Sequence, residues 1–325
     1  MKQKFPNLRR GLTALVLSLL LCAQALAAMP EYLVPGGSTA GIKLYTGGLL
    51  ITALDEDAPA QRAGLRAGDT ILKIDGACVS SDAVRQLSGG KSVRLLVQRG
   101  QKQAEFFLTP EKTQQGYRLG VSVRDNISGI GTITFYDPET GVCGALGHGV
   151  TGLSGTQPLA ATGGILVPSV VSGVKKGVRG TPGELHGSFD VSTALGSVSQ
   201  NETHGIFGTL NASPAHEAVP VADSTQVRTG AATILANVDG AEVTEYSVRI
   251  DRLYPQAENG RNLLITVTDE RLLEKTGGIV QGMSGSPILQ DGRLVGAVTH
   301  VLVNRPEQGY GIFMQTMLSQ CDAYR

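Results

Sequence analysis

Between residues 36 and 110 the chain sets short apolar runs between turn residues. Residues 49–54 (LLITAL) and 70–74 read as strands, the second closed by the tight-turn dipeptide Asp75-Gly76. Residues 59–65 predict one or two helical turns stopped by Gly64, and Ser81 can cap a short helix over 82–87 that ends at Gly89-Gly90. Residues 92–98 and 103–108 predict a hairpin across Arg99-Gly100. From about Glu111 the pattern turns to alternating or β-branched runs, at 131–136, 165–174, 206–210, 232–238, 246–253, 263–267, 288–289, 294–303 and 311–313. Gly, Pro, Asn and Asp fall between them, a spacing that suits a sandwich or barrel rather than βαβ units. Only 269–275 and 314–320 read as helices in this half. The pattern therefore predicts a mainly β protein with a small domain over 29–111 and a larger one over 112–325, in keeping with a length of 325 residues.

The first 28 residues stand apart. Lys2, Lys4, Arg9 and Arg10 precede an apolar stretch over 12–23, and Ala25-Leu26-Ala27 has the small-x-small form of a cleavage site. This predicts an export signal or N-terminal membrane anchor. The apolar stretch is short for a spanning helix, which needs about 20 residues. The whole chain balances 28 basic against 28 acidic residues, so without this basic segment it carries a net charge of −4. No basic cluster offers itself to phosphates, which argues against a nucleic-acid partner. Forty-three glycines point to many turns and close backbone approaches. Cys78, Cys143 and Cys321 lie outside the export segment at no metal-ligand spacing, and neither a metal nor a cofactor is expected.

Two short strings carry candidate chemistry. Gly282-Met283-Ser284-Gly285-Ser286-Pro287 has the form G-x-S-G-x-P, similar to the nucleophile loop of chymotrypsin-like serine peptidases. Serine supplies the nucleophile, and the glycines let the backbone turn so that the N–H groups of Gly282 and Ser284 face a developing oxyanion. A hydroxyl nucleophile needs a base. Among five histidines, His148 follows an apolar strand and turn in Leu146-Gly147-His148-Gly149, 136 residues before the serine, as in a two-barrel peptidase. His300, in the strand 16 residues after Ser284, is the nearest rival and is expected beside the substrate groove. For an acid to orient the base, interval spacing favours Asp190.

The block from Ala58 to Gly76 (APAQRAGLRAGDTILKIDG) resembles the signature of protease-associated PDZ domains. Such a domain takes an extended chain end as an added strand, with backbone N–H groups capturing the terminal carboxylate. That places the peptide-binding loop at Thr39, Ala40, Gly41 and Ile42. Export segment, PDZ block, Gly-His-Gly and the serine loop, in this order, resemble the SpoIVB family of sporulation serine peptidases. The likeness is densest over 275–287 and 296–301. It implies a PDZ domain followed by a chymotrypsin-like double β-barrel, and secretion from the forespore into the space between its two membranes. It further implies cleavage of a membrane-protein regulator of an intramembrane metalloprotease, and self-cleavage near the N-terminus. It also puts the triad acid at Asp269, 15 residues before Ser284, against the Asp190 that spacing favours. Two other readings compete: an inactive PDZ scaffold on a peptidase fold, and a general envelope quality-control protease. In the latter type the PDZ domain follows the peptidase domain, whereas here it precedes it.

Overall fold

The computed structural model describes residues 29–324 except 81–89, 101, 115, 153, 154 and 156. The export segment and the helix expected over 82–87 lie outside the described residues. Strands β1 (Tyr32–Pro35) and β2 (Thr39–Leu54) open the fold. A small module follows, made of α1 (Pro59–Arg62), β3 (Thr70–Ile74), β4 (Ala77–Cys78), β5 (Val93–Arg99) and β6 (Lys102–Leu108), with a ribbon of β7 (Glu111–Thr113) and β8 (Gly116–Arg118) behind it. Strands β9 (Val121–Tyr136), β10 (Val142–Ala145), β11 (Gly163–Lys175), β12 (Glu184–Phe189), β13 (Gly196–Glu202) and β14 (Gly205–Leu210) come next. After β15 (Val219–Pro220) come β16 (Gly230–Asp239), β17 (Glu242–Leu253), β18 (Leu263–Val267), α2 (Glu270–Thr276), β19 (Pro287–Gln290), β20 (Arg293–Leu302), β21 (Arg305–Phe313) and α3 (Met314–Leu318).

Two six-membered rings of strands organise this order. Antiparallel pairings run from β2 to β9, β10, β14, β13, β11 and back to β2, closing a first barrel. A second closed barrel runs β16-β17-β18-β21-β20-β19. Alternation drives each: in β17, Tyr246, Val248 and Ile250 point inward while Glu245, Ser247 and Arg249 are exposed. The second barrel encloses Ile234, Ile250, Leu263, Ile265, Ile288 and Val298, each at most 1% exposed. Each such side chain stabilises the fold by roughly 1.5–3 kcal/mol. Phe135 and Phe207 of the first barrel meet Leu294 and Ile312 of the second in a shared cluster, which α3 closes with Met314 and Met317. This joint fixes one barrel against the other, and the functional cleft lies between them.

The expected boundary at 111/112 needs correction, because the small module is an insertion in the first barrel. The first half of β2 pairs with both β11 and β9: Ile42 opposes Leu166 on one side and Gly129 on the other. Its second half belongs to the small module, with Leu49 opposite Ile71 and Leu50 opposite Arg124. The strand bends between the two at Gly47 (φ 67), where the Thr46 hydroxyl donates to the Gly48 and Asp125 carbonyls. Ile42 and Leu44 thus enter the first barrel's core, whereas Leu49 and Ile51 enter the module's core with Ile71, Leu95, Val97 and Leu119. One pair of strands, β2 and β9, serves both cores.

The same geometry corrects the peptide-binding assignment to Thr39, Ala40, Gly41 and Ile42. All four are buried, in a stretch of β2 flanked by a strand on either side. An added strand needs an unpaired edge. Among the described residues the module's sheet ends on one side at β6 and on the other at the side of β9 over 121–124 that faces away from β2, and the second lies beside the loop at Leu119 and Gly120.

Candidate functional site

A cleft of about 670 Å3 between the barrels is lined by His148, Gly282, Ser284, Thr299 and His300, among others. The base loop leaves β10 through two residues of left-handed backbone, Leu146 (φ 70) and Gly147 (φ 66). A buried leucine in that region is strained by about 1–3 kcal/mol, and such strain collects where function requires a particular turn. Here the turn carries His148 into the cleft. A Cβ on Gly147 would lie 2.9 Å from Thr299 Cγ2, so only glycine lets the loop pass this close to the second barrel.

The nucleophile loop is built from the other side. Gly282 (φ 101) and Gly285 (φ 98) bracket Ser284, and the fully buried Met283 pins the loop into the second barrel's core. Within the loop, Met283 N–H donates to Val280 O at 3.1 Å, Ser286 N–H to Met283 O at 3.0 Å, and Gly285 N–H to Val298 O at 2.8 Å. The N–H groups of Gly282 and Ser284 make no backbone hydrogen bond among the described residues. Two free donors flanking a serine, held by a buried neighbour, are what an oxyanion site requires.

Thr132 of β9 ties this loop to the base. Its N–H donates to Ser284 O at 3.0 Å and its hydroxyl to Gly282 O at 2.8 Å. Its own carbonyl accepts the Leu146 N–H at 3.2 Å, so one buried threonine bridges both loops. Sequence reasoning passed over Thr132, Met283 and Thr299, since nothing distinguishes them from other strand or loop residues.

Ser284 is half-buried, and its Oγ–H donates to the Thr299 carbonyl at 2.8 Å. His148 has Nδ1 2.9 Å from the Gly149 carbonyl. A carbonyl can only accept, so that hydrogen bond puts the ring proton on Nδ1 and leaves the Nε2 lone pair for the serine. Burial lowers the His148 pKa, with the Gly149 bond opposing it, which keeps the imidazole neutral and basic at neutral pH. The His300 ring stands 5.2 Å from that of His148, centroid to centroid. Burial, then His148, then Arg261 push the His300 pKa down to about 4.

The structure does not bring either candidate acid to this cleft. Asp269 caps α2: its carboxylate accepts from Arg271 N–H at 3.0 Å and Ser247 N–H at 3.2 Å, and pairs with the Arg271 guanidinium at 2.8 Å. The Arg271 bond above all holds its pKa down to about 2. Asp190 lies exposed after β12 and accepts from the Ser192 N–H and hydroxyl. Asp269→Asn should therefore melt earlier by about 1 kcal/mol, the worth of a cap, with kcat within about threefold of wild type. A kcat loss of about ten-thousandfold with the fold intact would return Asp269 to the acid's role.

Comparison with known proteins adds the family. The sequence profile of the SpoIVB peptidase S55 family matches residues 115–318, and that of a PDZ domain matches 50–99. Among curated proteins, a DegP-like periplasmic serine endoprotease of Halomonas elongata is 44% identical over 57 residues, 16% of this chain and 12% of its own length. A Lactococcus lactis protein named as a zinc metalloprotease is 35% identical over 75 residues, 22% of this chain and 18% of its own. The chain thus spans less than a fifth of either relative. Among solved structures, the active form of the Rv3671c protease of M. tuberculosis matches 60% of this chain and 73% of its own, with 15% identity and a TM-score of 0.35. With the profile covering most of its length, the mainly β chain belongs to the SpoIVB peptidase S55 family and carries a PDZ domain.

Proposed function

We propose that this chain is an exported endopeptidase of sporulation signalling, cleaving peptide bonds through an acyl-enzyme on Ser284. The observation that carries the reading is the meeting of Ser284, two free loop N–H groups and a correctly tautomerised His148 in one cleft. Ser284 Oγ attacks the scissile carbonyl as its proton passes to His148 Nε2. The oxyanion forms against the Gly282 and Ser284 N–H groups, and His148 then protonates the leaving amine. Before attack, the hydroxyl must rotate from Thr299 O towards His148.

The finer reading rests on family likeness: release into the space between the forespore membranes, a membrane-protein regulator of an intramembrane metalloprotease as substrate, and self-cleavage near the N-terminus. The fold is compatible with the last, because a cut ahead of Tyr32 spares every strand of the first barrel. For the PDZ domain, the proposed peptide edge moves to β9 over 121–124, beside the loop at Leu119 and Gly120. The test is a fluorophosphonate probe followed by peptide mapping. Stoichiometric labelling at Ser284 is expected. A folded protein that stays unlabelled would favour the inactive-scaffold reading.

A further inference from the structure

Strand β9 is paired on one side only for most of its length. From Val121 to Ile130 its partner is β2, and on the other side β10 joins only from Ile133 onward. Thr132 points its N–H and carbonyl away from β2, to Ser284 O and the Leu146 N–H. By the alternation of a strand, Ile130, Ser128 and Asn126 turn the same backbone groups to the open side. Among the described residues no backbone group meets these three there. An unpaired edge of this length is a template for another chain, which folded proteins cover or blunt unless a partner uses it.

The two ends of this edge are different. At its start the Leu119 and Gly120 carbonyls accept from Ala60 N–H and Asp55 N–H, each at 3.0 Å. The N–H groups of Leu119 and Gly120 themselves have no backbone partner among the described residues. Gly120 is left-handed (φ 74), and a Cβ on it would lie 2.1 Å from that of Ala58. Two successive free N–H groups in such a turn form a concave site for an anion. At the far end Ile130 lines the catalytic cleft, and a Cβ on Gly282 of the oxyanion site would lie 3.1 Å from Ile130 Cγ2. One strand edge thus leads from an anion site to the nucleophile loop.

We infer that the unfolded C-terminal segment of a protein substrate lies as an added strand along the whole of this edge, from Val121 to Ile130. Its terminal carboxylate sits on the Leu119 and Gly120 N–H groups, and its scissile bond lies at Ser284. The inference rests on the peptide edge and the nucleophile proposed above. A strand antiparallel to β9 has its C-terminus at Val121 and its N-terminal part at Ile130, so the residues after the scissile bond fill the track. At about 3.4 Å per residue the edge spans about 30 Å, which sets the cut roughly ten residues before the chain end. This protein's own C-terminus is not the occupant, because Tyr324 is buried and donates to Asp137 at 2.7 Å.

The test uses the full chain and peptides carrying one bond that it cuts in unfolded casein. Behind that bond stand Ser/Thr spacers of about 4, 7, 10, 13 or 16 residues and a free carboxylate. kcat/KM should peak at the spacer of about ten residues and fall about tenfold at either extreme. Amidating the C-terminus should level the series at its lower value. N-methylation of alternate spacer residues should erase the peak in one frame and spare it in the other, because only one frame of N–H groups meets β9. Ser128→Pro removes an outward N–H from the middle of the edge and should erase the peak as well. The peptide results stand even if that variant fails to fold. A response that is flat in spacer length with the carboxylate free overturns the inference. Failure of the underlying readings looks different: amidated and free-carboxylate peptides would bind Ser284→Ala equally, or Ser284→Ala would go on cutting them.

Discussion

Ser284→Ala is expected to lower kcat for peptide and ester substrates by about a millionfold, the scale seen when a nucleophile that works as a unit with its base is removed. Residual turnover would come from the Gly282 and Ser284 N–H groups, which the substitution leaves in place, and from substrate binding. The fold should barely notice. The serine hydroxyl makes one hydrogen bond, to the Thr299 carbonyl at the wall of an open cleft, where water can replace it. The loop conformation depends on Met283, Gly282 and Gly285, none of which changes. Urea unfolding should shift by about 1 kcal/mol or less. Measured together, a lost acylation burst and an unchanged unfolding midpoint identify the nucleophile. Turnover within tenfold of wild type would remove Ser284 from that role.

The sequence made the chemistry of this cleft easier to read than its architecture. Gly282, Ser284 and Gly285 are legible because a tight loop around a nucleophile demands those residue types in a fixed order. His148 is legible because a base loop leaves a strand end, and here it sits between two glycines. The strand runs of the second barrel are legible for the same local reason: β17 and β18 alternate inward and outward over their length. The domain boundary is not local. The block from Ala58 to Gly76 marks a PDZ domain correctly, but two of the domain's strands come from 48–54 and 121–124, and both continue into the first barrel. Glycines at 47 and 48 look like any turn, and only the pairing of both β2 halves with β9 reveals an insertion. Thr39–Ile42 failed as a peptide loop on the same point, since residue types do not tell a buried central strand from an open edge. Asp269 failed to reach the cleft because an acidic residue before a helix satisfies local capping, and the local demand prevailed. His300 is legible as a strand histidine beside the groove, and it does line the cleft, but the strand bulge ahead of it leaves no trace in the pattern.

Gly285→Ala should be the most destructive single-methyl change near the site. Gly285 adopts φ 98, outside the range that side chains favour, and a Cβ there would fall 2.1 Å from Thr132 O and 2.5 Å from Leu146 N. Those two atoms are hydrogen-bonded to each other at 3.2 Å, so the methyl group would drive into the link between β9 and the base loop. Neither neighbour can yield cheaply. Thr132 also carries the bonds to Ser284 O and Gly282 O, and Leu146 already sits in strained backbone. The expected cost is about 3–5 kcal/mol of stability, from backbone strain and steric overlap together. Any folded fraction should show kcat reduced by at least about a hundredfold, because a shift of about 1 Å at catalytic groups has that effect. Gly292→Ala is the control. It has a similar left-handed backbone (φ 72) in the turn between β19 and β20, with nothing within 4 Å of an added Cβ. The backbone term alone should then appear, about 1–2 kcal/mol, with kcat unchanged. Urea unfolding and ester turnover on both variants separate the two contributions. Equal destabilisation by the two alanines would mean that the contact with Thr132 and Leu146 is looser than its geometry states, and that Thr132 does not couple the nucleophile loop to the base.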